Sequence, residues 1–328
     1  MIRRILPLAC AALFASAAFA QTGSAPSESP VVGILNYIHA VKDLDTTLAF
    51  YHDVFGLDGK PQTFPNPGVP ALTNSPGASL RLAVLKIPNT EFGFELTQFS
   101  GVDRHPGQAR PYDPGAGILV LRVKDLTPIF AAVKKRNDVI VTTSGAPVTL
   151  GNTRVFMVRD PDGFLCHVIE LAPRDGDTAE GNVLSAAIGL AIADKDSIAK
   201  FYHDLLGFDI TGKDEYHSNP GYFDMVGAAP TTQVREYRAN VPGTKALVAF
   251  YEYKDIDRKP FHLRVPDPGS SAMALRVKDL DGLLARMRAA GVPLTSQHSE
   301  VVQFTPTIRN IFVQDPNGIN IELFEVKP

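Results

Sequence analysis

The sequence predicts an α+β protein made of four copies of one strand–helix–strands unit (βαβββ), and three observations predict it. Val-Lys-Asp-Leu occurs at Val41–Leu44, Val123–Leu126 and Val277–Leu280, with a degraded copy at Ile192–Lys195. Each copy closes an apolar run and opens a helix-like stretch. Asp103–Leu126 aligns without gaps to Asp257–Leu280 at a spacing of 154 residues, with 13 of 24 positions identical. Finally, Phe50–Asp53 repeats as Phe201–Asp204, and Asp160–Gly163 repeats as Asp315–Gly318. Repetition of this kind settles architecture before any single residue does. Two tandem domains, each internally duplicated, are expected at residues 31–173 and 183–326.

The chain begins with a segment set apart from the repeats. Residues 1–20 carry Arg3 and Arg4, an apolar core from Ile5 to Phe19, and the small-residue site Ala18-Phe19-Ala20. That order reads as a cleavable signal peptide cut after Ala20, which places the mature protein in the periplasm or outside the cell. Its apolar run is too short for a bilayer span. Residues 21–30 are rich in Ser, Pro and Gly and read as a disordered linker. Losing the leader moves the formal charge from −3 to about −5. Basic runs are absent, which argues against nucleic acid as a partner. Cys10 leaves with the leader, so Cys166 has no partner for an intramolecular disulfide.

Each unit then follows the same order. In the first, an apolar strand over Gly33–Val41 runs into Asp43, a good helix N-cap. Leu44, Leu48, Tyr51 and Phe55 fall on one helical face, and Gly56 supplies the left-handed residue that ends the helix. Leu80–Ile87 and Glu91–Phe99 follow as antiparallel strands. In the fourth unit, Leu280, Leu283, Leu284 and Met287 form the helical stripe and Gly291 ends it. The linker Asp-Arg-x-Pro…Arg…Asp-Pro-Gly, present in both halves, reads as a fixed extended crossing. Helices are expected on one face of curved sheets.

These motifs resemble the vicinal oxygen chelate superfamily, which includes glyoxalases, bleomycin-resistance proteins and extradiol dioxygenases. The resemblance rests on Val41–Leu44, Phe50–Gly56, Phe201–Gly207, Asp160–Gly163 and Asp315–Gly318, and it covers both halves. It implies cups formed by paired units, with a divalent metal at the base held by one residue from each of several strands. The expected ligands are His or Gln seven residues before each helix-capping Asp, and Glu on the last strand. Counting back from Asp43, Asp125, Asp194 and Asp279 gives Asn36, Ile118, Ala187 and Ala272. Counting seven on from Asp160 and Asp315 gives His167 and Glu322. Glu95, in Glu-Leu-Thr, resembles a further ligand, and its counterpart is Ala249.

If adjacent units pair, the first domain holds Asn36, Glu95 and His167 against Ile118. Glu95 and His167 are then the acid/base candidates, with Asn36 orienting substrate. The same two residues are the candidate ligands for a divalent metal, should one bind. The second domain would offer a roomy cup of Ala187, Gly189, Ala272 and Ala274, ringed by Tyr251, Tyr253, Arg276 and Glu322 as substrate-binding residues. Arg122 and Arg276 are equivalent rim residues that either grip a ligand or pair with Asp113 and Asp267. His39 reads as a satisfied core histidine, His52 and His203 as solvated, and Cys166 as pointing away from His167.

The resemblance implies acid/base chemistry of isomerase, lyase or hydrolase type on a small oxygenated or aromatic molecule. Alternatives are a non-catalytic binder of bleomycin-resistance type and a metal-dependent dioxygenase. Two domains in one chain allow a monomer or a homodimer.

Overall fold

The computed structural model describes residues 28–327, so the leader and most of the linker lie outside the described residues. Four βαβββ units are present. The first runs β1 (Val31–Ala40), α1 (Leu44–Phe55), β2 (Gln62–Phe64), α2 (Val69–Leu72), β3 (Ser79–Lys86) and β4 (Gly93–Ser100). The second is β5 (Gly117–Val123), α3 (Leu126–Arg136), β6 (Val148–Leu150), β7 (Thr153–Arg159) and β8 (Leu165–Glu170). The third is β9 (Val183–Ile192), α4 (Lys195–Ile198, continued as a π-helical segment Ala199–Leu205), β10 (Thr211–Gly212), α5 (Pro220–Val226), β11 (Gln233–Asn240) and β12 (Leu247–Lys254). The fourth is β13 (Ser271–Val277), α6 (Leu280–Ala289), β14 (Val302–Gln303), β15 (Ile308–Gln314) and β16 (Asn320–Val326).

The local signals act as the sequence predicts. Asp43, Asp125, Asp194 and Asp279 each cap a helix by accepting a backbone N–H. Gly56 sits at φ 67° and accepts the left-handed turn that ends α1. Leu280, Leu283, Leu284 and Met287 are the buried face of α6.

The pairing of units differs from the expectation. One sheet runs β14-β15-β16-β13-β1-β4-β3-β2, and the other β10-β11-β12-β9-β5-β8-β7-β6. The first unit therefore pairs with the fourth through antiparallel β1 and β13, and the second with the third through β5 and β9. We call these the first and second cups. The first and second units lie in different sheets, as do the third and fourth, and the duplicated linker that joins each of these pairs is the reason. In both halves it carries the chain from one sheet to the other and is locked by matching bonds. Arg110 and Arg264 each grip an aspartate three residues on, Asp113 and Asp267, at 2.6 and 2.8 Å. Those aspartates accept the backbone N–H of the opposite linker, Lys259 and His105. Gly115 and Gly269, both at φ 96°, leave no room for a Cβ, which would stand 2.1 Å from Phe261 O and Gly107 O.

A large apolar core lies between the two sheets and contains the helices' buried faces. Its buried polar ties join the sheets. Tyr51 donates to Asp160, and in the other half Tyr202 donates to Asp315. The repeated Phe-Tyr and Asp-Pro motifs thus meet each other across the sheets. Each cup has its own smaller cluster on the opposite face.

Candidate functional site

Strand alternation aims Asn36, Ile38 and Ala40 into the first cup from β1, and Glu95, Thr97 and Phe99 from β4. Ala272 and Ala274 join them from β13, Asn320, Glu322 and Phe324 from β16, and Asn310 and Phe312 from β15. Two of the expected catalytic residues, Glu95 and Asn36, meet here: the Asn36 side-chain amide donates to Glu95 Oε2. Asn310 Nδ2 donates to Glu322 Oε1 at 2.6 Å. The remaining carboxylate oxygens, Glu95 Oε1 and Glu322 Oε2, take no partner among the described residues.

Both glutamates lie deep among protein atoms and are still reached by solvent. Burial, reinforced by the nearby charge of Glu322 and opposed by Asn36, pushes Glu95 up to about 8. Burial, opposed by the Asn310 hydrogen bond, raises Glu322 to about 7. The pair therefore shares close to one proton near pH 7.5, and its two apparent values belong to the dyad as a whole. Around it the lining is apolar. Phe64 and Phe304, from the first and fourth units, stack at 5.7 Å at one edge, and Val69 and Leu72 of α2 close another.

A slip in register between Ile34 and Tyr37 inserts one extra residue into β1 beside Asn36. Such bulges re-aim side chains. Here Leu35 is left 57% exposed. The matching strand β9 keeps continuous register with β5 through Ala187.

The second cup is different. His167 stands there, not beside Glu95, which overturns the expected Glu95–His167 pair: the two residues lie on separate sheets. Its neighbours across the strands are Val120 and Met157. Its Nε2 is buried with no hydrogen-bond partner, and burial alone lowers its pKa to about 4, so the ring is neutral. Tyr251 and Tyr253 also line this cup, again apart from Glu322 and Arg276, with which they had been grouped. Tyr253 shares a 2.7 Å hydrogen bond with Tyr222 of α5. With Phe223, Met225 and Val226, that helix packs into the apolar cluster of the cup. Ile118, Ala187 and Ala249 occupy the remaining positions. In the second cup the imidazole has no hydrogen-bond partner, and the carboxylate on the cup-facing register of β11, Glu236 opposite Tyr251, is ion-paired with Arg238.

The other expected residues are accounted for. Arg122 is buried and ion-paired with Asp177 at 2.9 Å, so its guanidinium is committed to structure, and the expected partner Asp113 belongs to Arg110. Arg276 is exposed at the first cup's rim and reaches Val32 O at 3.4 Å. Cys166 faces the central core beside Tyr51, away from His167. His52 and His203 are largely exposed beside Asp58 and Asp204. Asn310 was missed. Its equivalent in the second unit is Val155, and an Asn between Ile308 and Phe312 on an apolar face was the available signal.

Neither cup offers the imidazole-and-carboxylate donor set that the resemblance implies. Zinc-like metals require three or four converging N/O donors. In the first cup Asn36 turns its NH2 toward Glu95, Ala272 replaces a ligand, and two carboxylates remain. Among the described residues the one group of three that could hold a metal ion is His39, Asp160 and Asp162, whose ligand atoms lie within 4.8 Å of one another. It is compatible with a divalent cation, but its atoms are already engaged. His39 Nε2 binds Asp160 at 2.9 Å, and Asp162 accepts from Thr47 and Lys42 N. Burial disfavours the imidazolium, yet Asp160 and Asp162 outweigh it and raise the His39 pKa. In the other half Leu190 and Asn317 stand at the corresponding positions. There Asn317 still ties Ala193 N and Ser197, so the tie holds without the ligands.

Paired βαβββ units in curved sheets, with their inward-facing side chains converging from the inner strands, define a cup fold of which this chain has two. Matching to known families agrees. The family described as Glyoxalase/Bleomycin resistance protein/Dioxygenase superfamily matches residues 33–168 and again 185–323, and the chain belongs to it. The chain is similar to a lactoylglutathione lyase of Oryza sativa subsp. japonica, 26% identical over 200 residues covering 60% of each chain. It is also similar to a lactoylglutathione lyase of Haemophilus influenzae, 29% identical over 139 residues, 42% of this chain and 91% of that one. The match therefore spans about 60% of the length of the plant relative. Among solved structures, glyoxalase I from Zea mays superposes with a TM-score of 0.58 at 17% identity, covering 89% of this chain and 92% of that one. That likeness shows the fold alone.

Proposed function

We propose that the first cup is the working site of an enzyme that moves protons on a small oxygenated or aromatic molecule, in the manner of isomerases and lyases. The observation that supports it is the Glu95–Glu322 dyad: two carboxyl groups in an apolar recess, with raised pKa values near 8 and 7. A catalytic acid and base work best with pKa values near the operating pH, and this environment supplies one of each. Ionised Glu322 removes a proton from a carbon beside a carbonyl, and protonated Glu95 delivers its proton to the carbonyl oxygen. The C–H bond breaks, an O–H bond forms, and the neutral intermediate is an enol, or an enediol where that carbon carries a hydroxyl. For an α-hydroxycarbonyl, protonated Glu322 then gives its proton to the former carbonyl carbon while ionised Glu95 takes the proton of the second hydroxyl, which completes an isomerisation. Asn36 and Asn310 hold the two carboxyl groups in place, and Arg276 at the rim is the group available to an anionic end of a substrate.

The leader, cleavage after Ala20 and export belong to this proposal, and amino-terminal sequencing of the mature protein tests them. Each cup is completed by units of one chain, so a second copy is not needed to build the site. No described helix is long and apolar enough to cross a membrane.

The chemistry is tested by incubating the full chain in D2O with a panel of small carbonyl compounds and phenols, and following loss of carbon-bound protons by NMR. Exchange should occur for at least one compound, disappear with Glu95→Gln or Glu322→Gln, and persist with His167→Leu. Stoichiometric binding without exchange in any compound would overturn the reading in favour of a sequestering protein.

A further inference from the structure

We propose that the first cup binds a primary organic ammonium group, with the cation seated between Glu95 and Glu322 and its carbon body on the phenylalanine wall. Three acceptors are unused at the base of this cup. Two are Glu95 Oε1 and Glu322 Oε2. The third is Asn310 Oδ1, buried and without a partner on a side chain only 2% exposed, whose own NH2 is committed to Glu322. A primary ammonium has three N–H donors and no acceptor, so its needs match what the cup leaves open.

The charges facing this point agree. From β4 comes Glu95, from β16 Glu322, and from β1, β13, β15 and β3 the uncharged Asn36, Ala272, Asn310 and Val84. Of the cations on these strands, Arg276 is exposed at the rim, Lys86 is exposed at the end of β3, and Arg81 and Arg309 are paired with Asp45 and with Asp281 and Glu325. A carboxylate ligand would find no donor cation at the base and would face two acids. A cation relieves their mutual repulsion, and an orphaned buried acceptor gains the hydrogen bond it lacks. The body of such a ligand meets Phe99, Phe312 and Phe324 within the cup and the stacked Phe64–Phe304 pair at its edge.

This inference rests on the reading that the first cup is the site, and is independent of the proton-transfer chemistry assigned to it.

The test is calorimetric titration of the full chain with benzylamine, and with the neutral isostere benzyl alcohol, at pH 7.0. Benzylamine should bind one per chain, and benzyl alcohol should bind at least tenfold more weakly. Glu95→Gln, Glu322→Gln and Asn310→Leu should each weaken benzylamine at least tenfold, with thermal melts confirming that each variant folds. His167→Leu should leave binding unchanged. Equal binding of the alcohol, or no benzylamine binding at millimolar concentration, would overturn the proposal. So would tight one-to-one binding of Mn2+ alone that excludes benzylamine, which would make the dyad a metal site. Deuterium exchange that survives when benzylamine fails would leave the enzymatic reading standing, and benzylamine binding without any exchange would do the reverse.

Discussion

The two cups are built from the same unit in the same pairing and carry different linings. Where the first places Asn36, Glu95, Ala272 and Glu322, the second places Ala187, Ala249, Ile118 and His167. At the fringe, Asn310 in one answers Val155 in the other. The first remains open to solvent down to two acids, while the second is closed by α5 and a Tyr222–Tyr253 bond. The first cup holds two carboxyl groups with raised pKa values, and the second holds a neutral imidazole without a hydrogen-bond partner.

The largest expected effect breaks the symmetry of that comparison directly. Glu95→Gln or Glu322→Gln should lower turnover by about 10²–10⁴-fold, the usual contribution of a positioned acid or base, while His167→Leu leaves turnover within about twofold. Steady-state kinetics on any substrate that exchanges in D2O checks both. A matched loss in His167→Leu would mean that the second cup works. The pH profile sharpens the point. Activity needs one proton on the dyad, so the rate should peak between the values of about 7 and about 8 and fall on either side.

Next come two effects on stability with opposite signs in pH. Glu95 has a folded pKa raised from its unfolded value to about 8. The folded state therefore holds more protons between those values, and stability falls as pH rises through that window. Glu95→Gln removes the penalty, and should stabilise the protein by on the order of 2 kcal/mol at pH 9, with a much smaller change at pH 4.5. Denaturant melts at the two pH values measure it. His167 behaves in the reverse way. Its folded pKa is lowered to about 4, so stability is lost as pH falls through the unfolded value toward it. His167→Leu should stabilise by about 1 kcal/mol at pH 8, where only the orphaned nitrogen is removed, and by more at pH 5.

Much of the fold was legible because each signal was local. Val-Lys-Asp-Leu marks a strand end and an N-cap, Gly56 a C-cap, and period-two alternation an inward face. Counting back from Asp43 gives Asn36, counting on from Asp160 and Asp315 gives His167 and Glu322, and Glu-Leu-Thr gives Glu95; all four lie on cup-facing strand positions. Which unit pairs with which was not legible from any unit. All four present similar inner strands, so β1 offers its edge to β5 or β13 on equal terms. The choice is made by the linkers, whose Asp113 and Asp267 clasp each other's backbone and take the chain across to the other sheet. The duplicated linker was recognised as rigid, but a rigid crossing also means leaving the sheet, and that step decides who shares a cup. The same error separated Glu95 from Glu322, split Tyr251 and Tyr253 from Arg276, and joined Glu95 to His167. Asn310 was hidden for another reason: it is polar on a strand read only for its apolar pattern.

The central claim is that two glutamates from opposite ends of the chain form one coupled acid–base pair. Carbon-13 NMR titration of the glutamate side-chain carboxyl groups tests it most directly, in the wild-type chain and in Glu322→Gln. Glu95 should titrate near 8 in the first and move down in the second, where the neighbouring charge is gone, while His167→Leu leaves it unmoved. A Glu95 that titrates at an ordinary carboxylate value, or that ignores the loss of Glu322, would contradict the account.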